Sequence, residues 1–249
     1  MTDADGQTVV SISQLTKRYG ALTAVDACSF EVRRKEVLAL VGPNGAGKTT
    51  TLKLMVGLLA PTAGSVSVDG FDVHREPEAA KRLLSFLPDQ PFLYELLTVE
   101  EFVSFLGAVY RLSPAALRER VEPLLRLFQL EARRRSRIGA LSHGMKSRLA
   151  FLSALLHAPQ VLVMDEPFFG LDPQTLRVTK QVLRERVDAG MAVVLSTHQL
   201  SVVEDIADRI LIMGQGRVLA SGSLSELRSR YGGGRLEDVF FQLTETEAE

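Results

Sequence analysis

The sequence predicts an α/β fold: a largely parallel sheet, an antiparallel β subdomain ahead of it, and an α-helical subdomain inserted into it. Three observations carry this expectation. The apolar run Val37–Val41 leads into the glycine-rich stretch Gly42-Pro43-Asn44-Gly45-Ala46-Gly47-Lys48-Thr49-Thr50, and Thr51–Leu59 continues as a helix. Strand–helix alternation returns at Val161-Leu162-Val163-Met164, which runs into Asp165-Glu166-Pro167. Between them, residues 98–156 show helical periodicity and no convincing strand.

The elements follow in order. Val9 to Leu15 alternates apolar with polar residues, and Val25 to Val32 does so again. The polar stretch Lys17-Arg18-Tyr19-Gly20-Ala21-Leu22 between them reads as the turn of an antiparallel hairpin. Tyr19 then stands where the hairpin can overhang the glycine-rich loop and stack on an adenine face; the plainer alternative is a half-buried tyrosine at a strand end. Pro61–Gly64 reads as a turn, and Ser65–Gly70 as an alternating strand ending in the hairpin dipeptide Asp-Gly. Ser85-Phe86-Leu87 is a short strand stopped by Pro88.

Thr98 is expected to cap a helix, with Glu101 at its third position and an apolar stripe of Phe102, Phe105, Leu106 and Val109. Ser113-Pro114 starts a second helix, facing inward with Leu117, Val121, Leu124, Leu125 and Phe128. Arg133-Arg134-Arg135-Ser136-Arg137 is the one dense basic cluster, read as a solvated face, with contact to phosphate or anionic lipid as the alternative. Past Val161, a helix over Gln174–Val187, a strand over Met191–Ser196 and a short helix over Leu200–Ala207 are expected. Arg209–Met213 and Arg217–Ala220 form a hairpin around Gly214-Gln215-Gly216. Two terminal helices, Leu224–Arg230 and Leu236–Leu243, flank Gly232–Gly234, and the tail Glu245–Glu249 is expected to fray. No internal repeat is visible. The expected organisation is a single domain over 1–249: an α/β core with β subdomain over 1–89 and 156–222, a helical insertion over 90–155, and a C-terminal helical extension over 223–249.

Strand, glycine-rich loop, helix is the context of a phosphate-binding loop. Glycines let the backbone curl so that successive N–H groups face an anion, and the helix start adds its positive dipole end. Lys48 would reach the β- and γ-phosphates, and the Thr49 hydroxyl would ligate Mg²⁺. Parallel strands place Asp165 at a carboxyl end beside the loop, where it would hold Mg²⁺. Glu166 follows and can orient or deprotonate a water; the plain reading is a solvated carboxylate at a strand end. His198, in Ser196-Thr197-His198, ends the next strand and can touch a γ-phosphate; His74 and His157 carry no partner pattern and read as structural. Ser142 and the Gly144 amide open another helix and form a second anion point. It lies in the helical insertion, so it suggests a site completed by a second subunit. ATP is favoured over GTP, because Asn44 is the only asparagine and no Asn-Lys-x-Asp pattern exists.

Bulk properties set outer bounds. With 249 residues, 46% hydrophobic and 24% charged, the chain can bury a substantial core. A net charge of −1 offers no basic field, so no nucleic-acid partner is expected. Cys28 is the single cysteine, which excludes an intrachain disulfide and suits a reducing compartment. The acidic start Met1–Gly6 is no signal peptide, and no apolar run approaches the roughly 18 residues of a membrane span.

Over about residues 8–222 the chain resembles the nucleotide-binding subunits of ATP-binding cassette (ABC) transporters, which have a RecA-like P-loop NTPase core. Gly42–Thr50 resembles the Walker A loop, Val161–Glu166 the Walker B strand, Leu141–Met145 the signature, Gly170–Pro173 the D-loop with Asp172, and His198 the switch histidine. Tyr19 matches the adenine-stacking aromatic, and Phe86-Leu87-Pro88-Asp89 falls at the Q-loop. The resemblance implies an ATPase that binds ATP and Mg²⁺ in a head-to-tail dimer. There Lys48 and its loop face Ser142 and Gly144 of a second copy or a related subunit, and Asp172 joins the nucleotide site. It implies a transmembrane permease partner, reached by the helical insertion and the Q-loop, and a cytoplasmic position on the inner face of the cell membrane. Three departures stand out. Asp89 replaces the Q-loop glutamine, where it can still ligate Mg²⁺ or leave the role to Gln90; His143 replaces a signature glycine and Met145 its glutamine. The Ser-His-Gly-Met form resembles a single-domain branch with exporter-like membrane subunits, which leans to export. The competing reading is a soluble ATPase of the same superfamily acting on ribosomes or DNA; the single domain, the lack of sustained heptads and the lack of basic excess disfavour it. A regulator that binds nucleotide without hydrolysis is disfavoured by Glu166 and His198.

Overall fold

A computed structural model describes residues 6–232 and 234–245. The expectations for the extreme N-terminus and for the tail beyond Glu245 fall outside the described residues.

The chain opens with β1 (Thr8–Tyr19) and β2 (Leu22–Arg33), paired antiparallel. The hairpin is longer than its hydrophobic pattern suggests. Lys17 pairs with Val25, Arg18 with Thr23 and Tyr19 with Leu22, so the polar stretch expected as a turn is ladder, and Gly20-Ala21 alone makes the turn. A backbone ladder continues where the side chains are solvated, and polarity alone conceals it. β3 (Val37–Val41) leads through the glycine-rich loop to α1 (Lys48–Met55). β4 (Ala63–Val68) and β5 (Phe71–Asp72) form the expected hairpin, with Asp69 and Gly70 both at positive φ as a tight turn between right-twisted strands needs. With β1 and β2 they make an antiparallel sheet ordered β2-β1-β4-β5.

α2 (Pro77–Leu83) and β6 (Leu84–Leu87) precede the helical stretch: α3 (Val99–Val109), α4 (Pro114–Leu127) and α5 (His143–Leu155). Thr98 and Glu101 make a reciprocal capping box at α3, and Ser113 caps α4 ahead of Pro114. The stripe of α3 is rotated from the expected one. Val99, Phe102, Val103 and Gly107 are buried, whereas Phe105 and Val109 are exposed. Gly107 explains the rotation: a Cβ there would stand 2.6 Å from Leu117 Cδ2, so α4 packs directly against the bare backbone. In the basic cluster, Arg134 pairs with Glu122, while Arg133, Arg135 and Arg137 are exposed. The carbonyls of Arg134 and Ser136 accept the amides of Glu100 and Val99, which have no acceptor within α3.

Strand–helix alternation resumes with β7 (Val161–Asp165), α6 (Pro173–Asp188), β8 (Ala192–Ser196) and α7 (Leu200–Ile206). It closes with β9 (Arg209–Gly214), β10 (Arg217–Gly222), α8 (Leu224–Tyr231) and α9 (Leu236–Glu245). The second sheet is ordered β10-β9-β3-β8-β7-β6, parallel except for β10. Its inner strands β3, β7 and β8 are buried along their whole length and apolar up to the Asp165 and Ser196 that end β7 and β8, because both faces of the sheet are covered. Leu38 and Leu40 enter a core shared with the antiparallel sheet and α1; Val37, Ala39 and Val41 enter one shared with α3 to α6 and α9. Among the described residues no helix is long and apolar enough to cross a membrane.

A nucleotide-type site at the carboxyl edge of the parallel sheet

The glycine-rich loop is shaped by its neighbours. Gly47 caps α1 at φ 94°, and a Cβ on it would strike the Ala24 carbonyl of β2. At Gly42 a Cβ would stand 2.5 Å from the Met213 carbonyl of β9. The loop is therefore pressed between both sheets, and no other residue fits these two positions. Lys48 begins α1, so its own amide and those of Thr49 and Thr50 lack helical acceptors and carry the positive end of the helix. Its ammonium is buried and donates to the carbonyls of Gly42 at 2.6 Å and Pro43 at 3.1 Å. Burial pulls its pKa below the ordinary lysine value, and the charges of Glu166 and then Asp165 oppose that shift. This cradle of free amides with one cation suits a polyphosphate.

Asp165, at the end of β7, is buried and lies opposite Ser196 in the β7–β8 register. It accepts from Thr49 Oγ1 at 3.2 Å, and its Oδ1 also takes the Ser196 hydroxyl in a very short hydrogen bond. A carboxylate and a hydroxyl so placed are hard oxygen donors that fit Mg²⁺, which takes few protein ligands and completes its shell with phosphate and water. Among the described residues no group of three or more His, Cys, Asp or Glu could hold a metal. Glu166 follows at φ 47°, with its amide donating to the Ser196 carbonyl at 3.0 Å. Its carboxylate spans His198: Oε1 lies 3.0 Å from Nδ1, and Oε2 accepts the His198 amide at 3.4 Å. Phe169, exposed at 63%, rests its ring 6.1 Å from that of His198.

Four of the expected residues, Thr49, Asp165, Glu166 and His198, thus meet beside Lys48. Tyr19 ends β1 half exposed, with Lys17 Nζ 5.1 Å from its ring centroid. Its partner strand β2 meets the loop at Ala24. Asp89 makes no hydrogen bond or ion pair with any described residue; with Gln90 it lines a cavity of about 550 Å³ that Glu166, His143 and Phe169 also line. Ser142 caps α5 through Met145 N at 3.3 Å. Asp172 caps α6, accepting from Thr175 N at 2.9 Å and Thr175 Oγ1 at 2.6 Å. The Thr175 hydroxyl first, then its amide, holds that carboxyl below the usual range. Asp172 Oδ2 stands 3.2 Å from where a Gly144 Cβ would be, so the structure groups Asp172 with Ser142 and Gly144 rather than with Lys48.

Sequence reasoning passed over two residues here. Ser196 is legible only through the register that sets it against Asp165. Phe169 is hinted at by the pair Phe168-Phe169, of which one is buried and the other exposed.

Residues 25–169 match the family model described as ABC transporter. The ABC-type transporter ATP-binding protein EcsA of Bacillus subtilis (strain 168) is 34% identical, over 96% of this chain and 98% of the relative. Nod factor export ATP-binding protein I of Ralstonia nicotianae (strain ATCC BAA-1114 / GMI1000) is 37% identical, over 88% of this chain and 68% of the relative. A solved ATP-binding subunit of an ABC transporter superposes with a TM-score of 0.90 at 36% identity, covering 95% of this chain and 99% of that one.

Proposed function

The chain belongs to the ABC transporter family, as an ATP-binding and ATP-hydrolysing subunit of a transporter, and from that premise we propose how it works and with whom. It closes as a head-to-tail dimer on two ATP molecules, with the Lys48 loop of one copy facing Ser142 and Gly144 of the other. One observation carries the reading: Thr49, Asp165, Glu166 and His198 converge at the carboxyl edge of the parallel sheet beside the Lys48 cradle.

Within that site, Lys48 and the amides of Gly45 and Gly47 to Thr50 hold the phosphates, while the Ala46 amide closes the loop on the Pro43 carbonyl. Tyr19 takes the adenine face. Thr49 and Asp165 would hold Mg²⁺, with Asp89 or Gln90 approaching from the loop after β6. Bound Mg²⁺ would neutralise charge on the phosphate oxygens. Glu166 orients the attacking water and accepts its proton. His198 fixes the Glu166 carboxylate through both of its oxygens.

The helical insertion over 90–155 moves against the core of 1–89 and 156–222 and passes the motion to a transmembrane permease. Phe92, Leu96, Tyr94 and Phe105 are exposed around that insertion and offer the apolar surface for it. The protein then lies on the inner face of the cell membrane. Export is the favoured direction, supported by a relative named for Nod factor export. The test is a tagged Glu166→Gln chain, incubated with ATP and Mg²⁺ and used to capture partners from detergent-solubilised native membranes. Loss of hydrolysis, an ATP-dependent dimer and a captured polytopic membrane protein are expected. Recovery of ribosomes, DNA or only itself would refute the transporter assignment, and undiminished hydrolysis would remove Glu166 from its role.

A further inference from the structure

Phe169 is an anomaly in a site otherwise built from polar groups. Phe168, one residue earlier, is 3% exposed and belongs to the core, so the segment's need for apolar anchorage is already met. Phe169 is 63% exposed, and an aromatic ring left in water has to be accounted for by what it touches. Its ring is tilted 54° to the His198 imidazole at a centroid distance of 6.1 Å, within the separation of favourable aromatic contacts. His198 is itself half exposed, with a side-chain exposure of 54%. On its other flank it bonds to Glu166.

The backbone supplies Phe169 with a fixed origin. Glu166 stands at φ 47°, an uncommon conformation for a glutamate, and the Phe169 amide closes the turn by donating to the Glu166 carbonyl at 3.2 Å. That bond depends on the backbone alone, so the ring can be removed without opening the turn. The ring also lines the 550 Å³ cavity of which Glu166 forms part of the wall.

We propose that Phe169 is a positioning residue for hydrolysis: its ring holds the His198 imidazole against the Glu166 carboxylate and covers the cavity side of that pair. It touches neither the phosphate nor the attacking water. The inference rests on the reading of Glu166 and His198 as the hydrolytic pair.

The experiment compares Phe169→Ala and Phe169→Tyr with the unaltered chain by steady-state ATPase assay, thermal melting and imidazole NMR. The chain has four histidines, so the imidazole spectrum is sparse and His198→Ala assigns its resonance. Phe169→Ala is expected to lower kcat about three- to ten-fold, the rate equivalent of one aromatic contact, with KM for ATP and Tm essentially unchanged. The His198 ring resonance should move as the aromatic ring current is lost, while those of His74 and His157 stay. Phe169→Tyr should restore both rate and shift. An unmoved His198 resonance, an unchanged kcat, or a loss confined to dimer formation would overturn the proposal. Full hydrolysis by Glu166→Gln and His198→Ala would instead overturn the hydrolytic reading, while the resonance would still report the contact.

Discussion

Ser196→Ala tests the account of the buried Asp165 directly. Ser196 is fully buried, and its hydroxyl donates to Asp165 Oδ1; the other donor to that oxygen, Thr49 Oγ1, stands at a longer 3.2 Å. Removing the hydroxyl leaves a buried carboxylate with its weaker donor. A hydrogen bond to a charged group contributes about 1.5–3 kcal/mol, and in a chain of this size each kcal/mol moves Tm by about 2–4 °C. The expected fall is therefore roughly 3–12 °C, measured by calorimetry without nucleotide. The charge can be isolated with a double-mutant cycle. In an Asp165→Asn background the acceptor is neutral, so Ser196→Ala should cost only about 0.5–1.5 kcal/mol. A fall under about 1 °C, or equal costs in both backgrounds, would show that Ser196 does not stabilise the Asp165 charge.

Three further outcomes are expected. Asp89→Gln should retain ATPase activity, because Asp89 pairs with no described residue; a complete loss of kcat would show that the acid is required. Gly107→Ala should change stability by less than about 1 kcal/mol in chemical denaturation, because the new Cβ meets the tip of the half-buried Leu117 side chain, Cδ2 at 2.6 Å, which can turn aside while alanine's better helix propensity offsets the cost; a much larger loss would show that Leu117 is held rigidly against α3. His157 stacks on Tyr110 at 4.0 Å and bonds the Leu84 carbonyl through Nε2, and burial lowers its pKa in the native state. Below the unfolded value of about 6.5 the unfolded chain gains a proton that the native one refuses, so stability falls with pH, by at most about 1.4 kcal/mol per unit. His157→Gln should flatten the Tm profile between about pH 7 and 5.5, and an unaltered slope would refute the assignment.

The parts of the fold legible in the sequence are those that a local pattern determines. The strands β3, β7 and β8 are continuous apolar runs because helices and a second sheet cover both their faces. The caps at Thr98 and Ser113 are three-residue features and appear where expected. What escaped depends on partners far along the chain. The rotation of α3 follows from Leu117 meeting the bare backbone at Gly107. The extension of β1 through Tyr19 follows from its pairing with β2. Within the site, Thr49, Asp165, Glu166 and His198 were legible because each closes or opens an element beside the loop. Ser196 was not, because its role exists only through the register opposite Asp165.

The remaining expected contacts raise a question of charge. Ser142 and Gly144 open α5, whose free amides attract anions. Yet Asp172 sets a carboxylate 3.2 Å from the place of a Gly144 Cβ, and its pKa is lowered, so that carboxylate stays ionised at neutral pH. Arg148 Nη2, at 3.8 Å, offsets it only in part. The α5 N-terminus is therefore a weak anion site when it stands by itself. The Lys48 loop has the opposite character, with a buried ammonium and free amides converging on one point. On the proposed reading the loop captures ATP first, and α5 of a second copy meets a phosphate already held. On that reading dimer closure depends on nucleotide, because without a bound phosphate the buried Lys48 ammonium and the free amides of its loop would face a second copy with no anion between them.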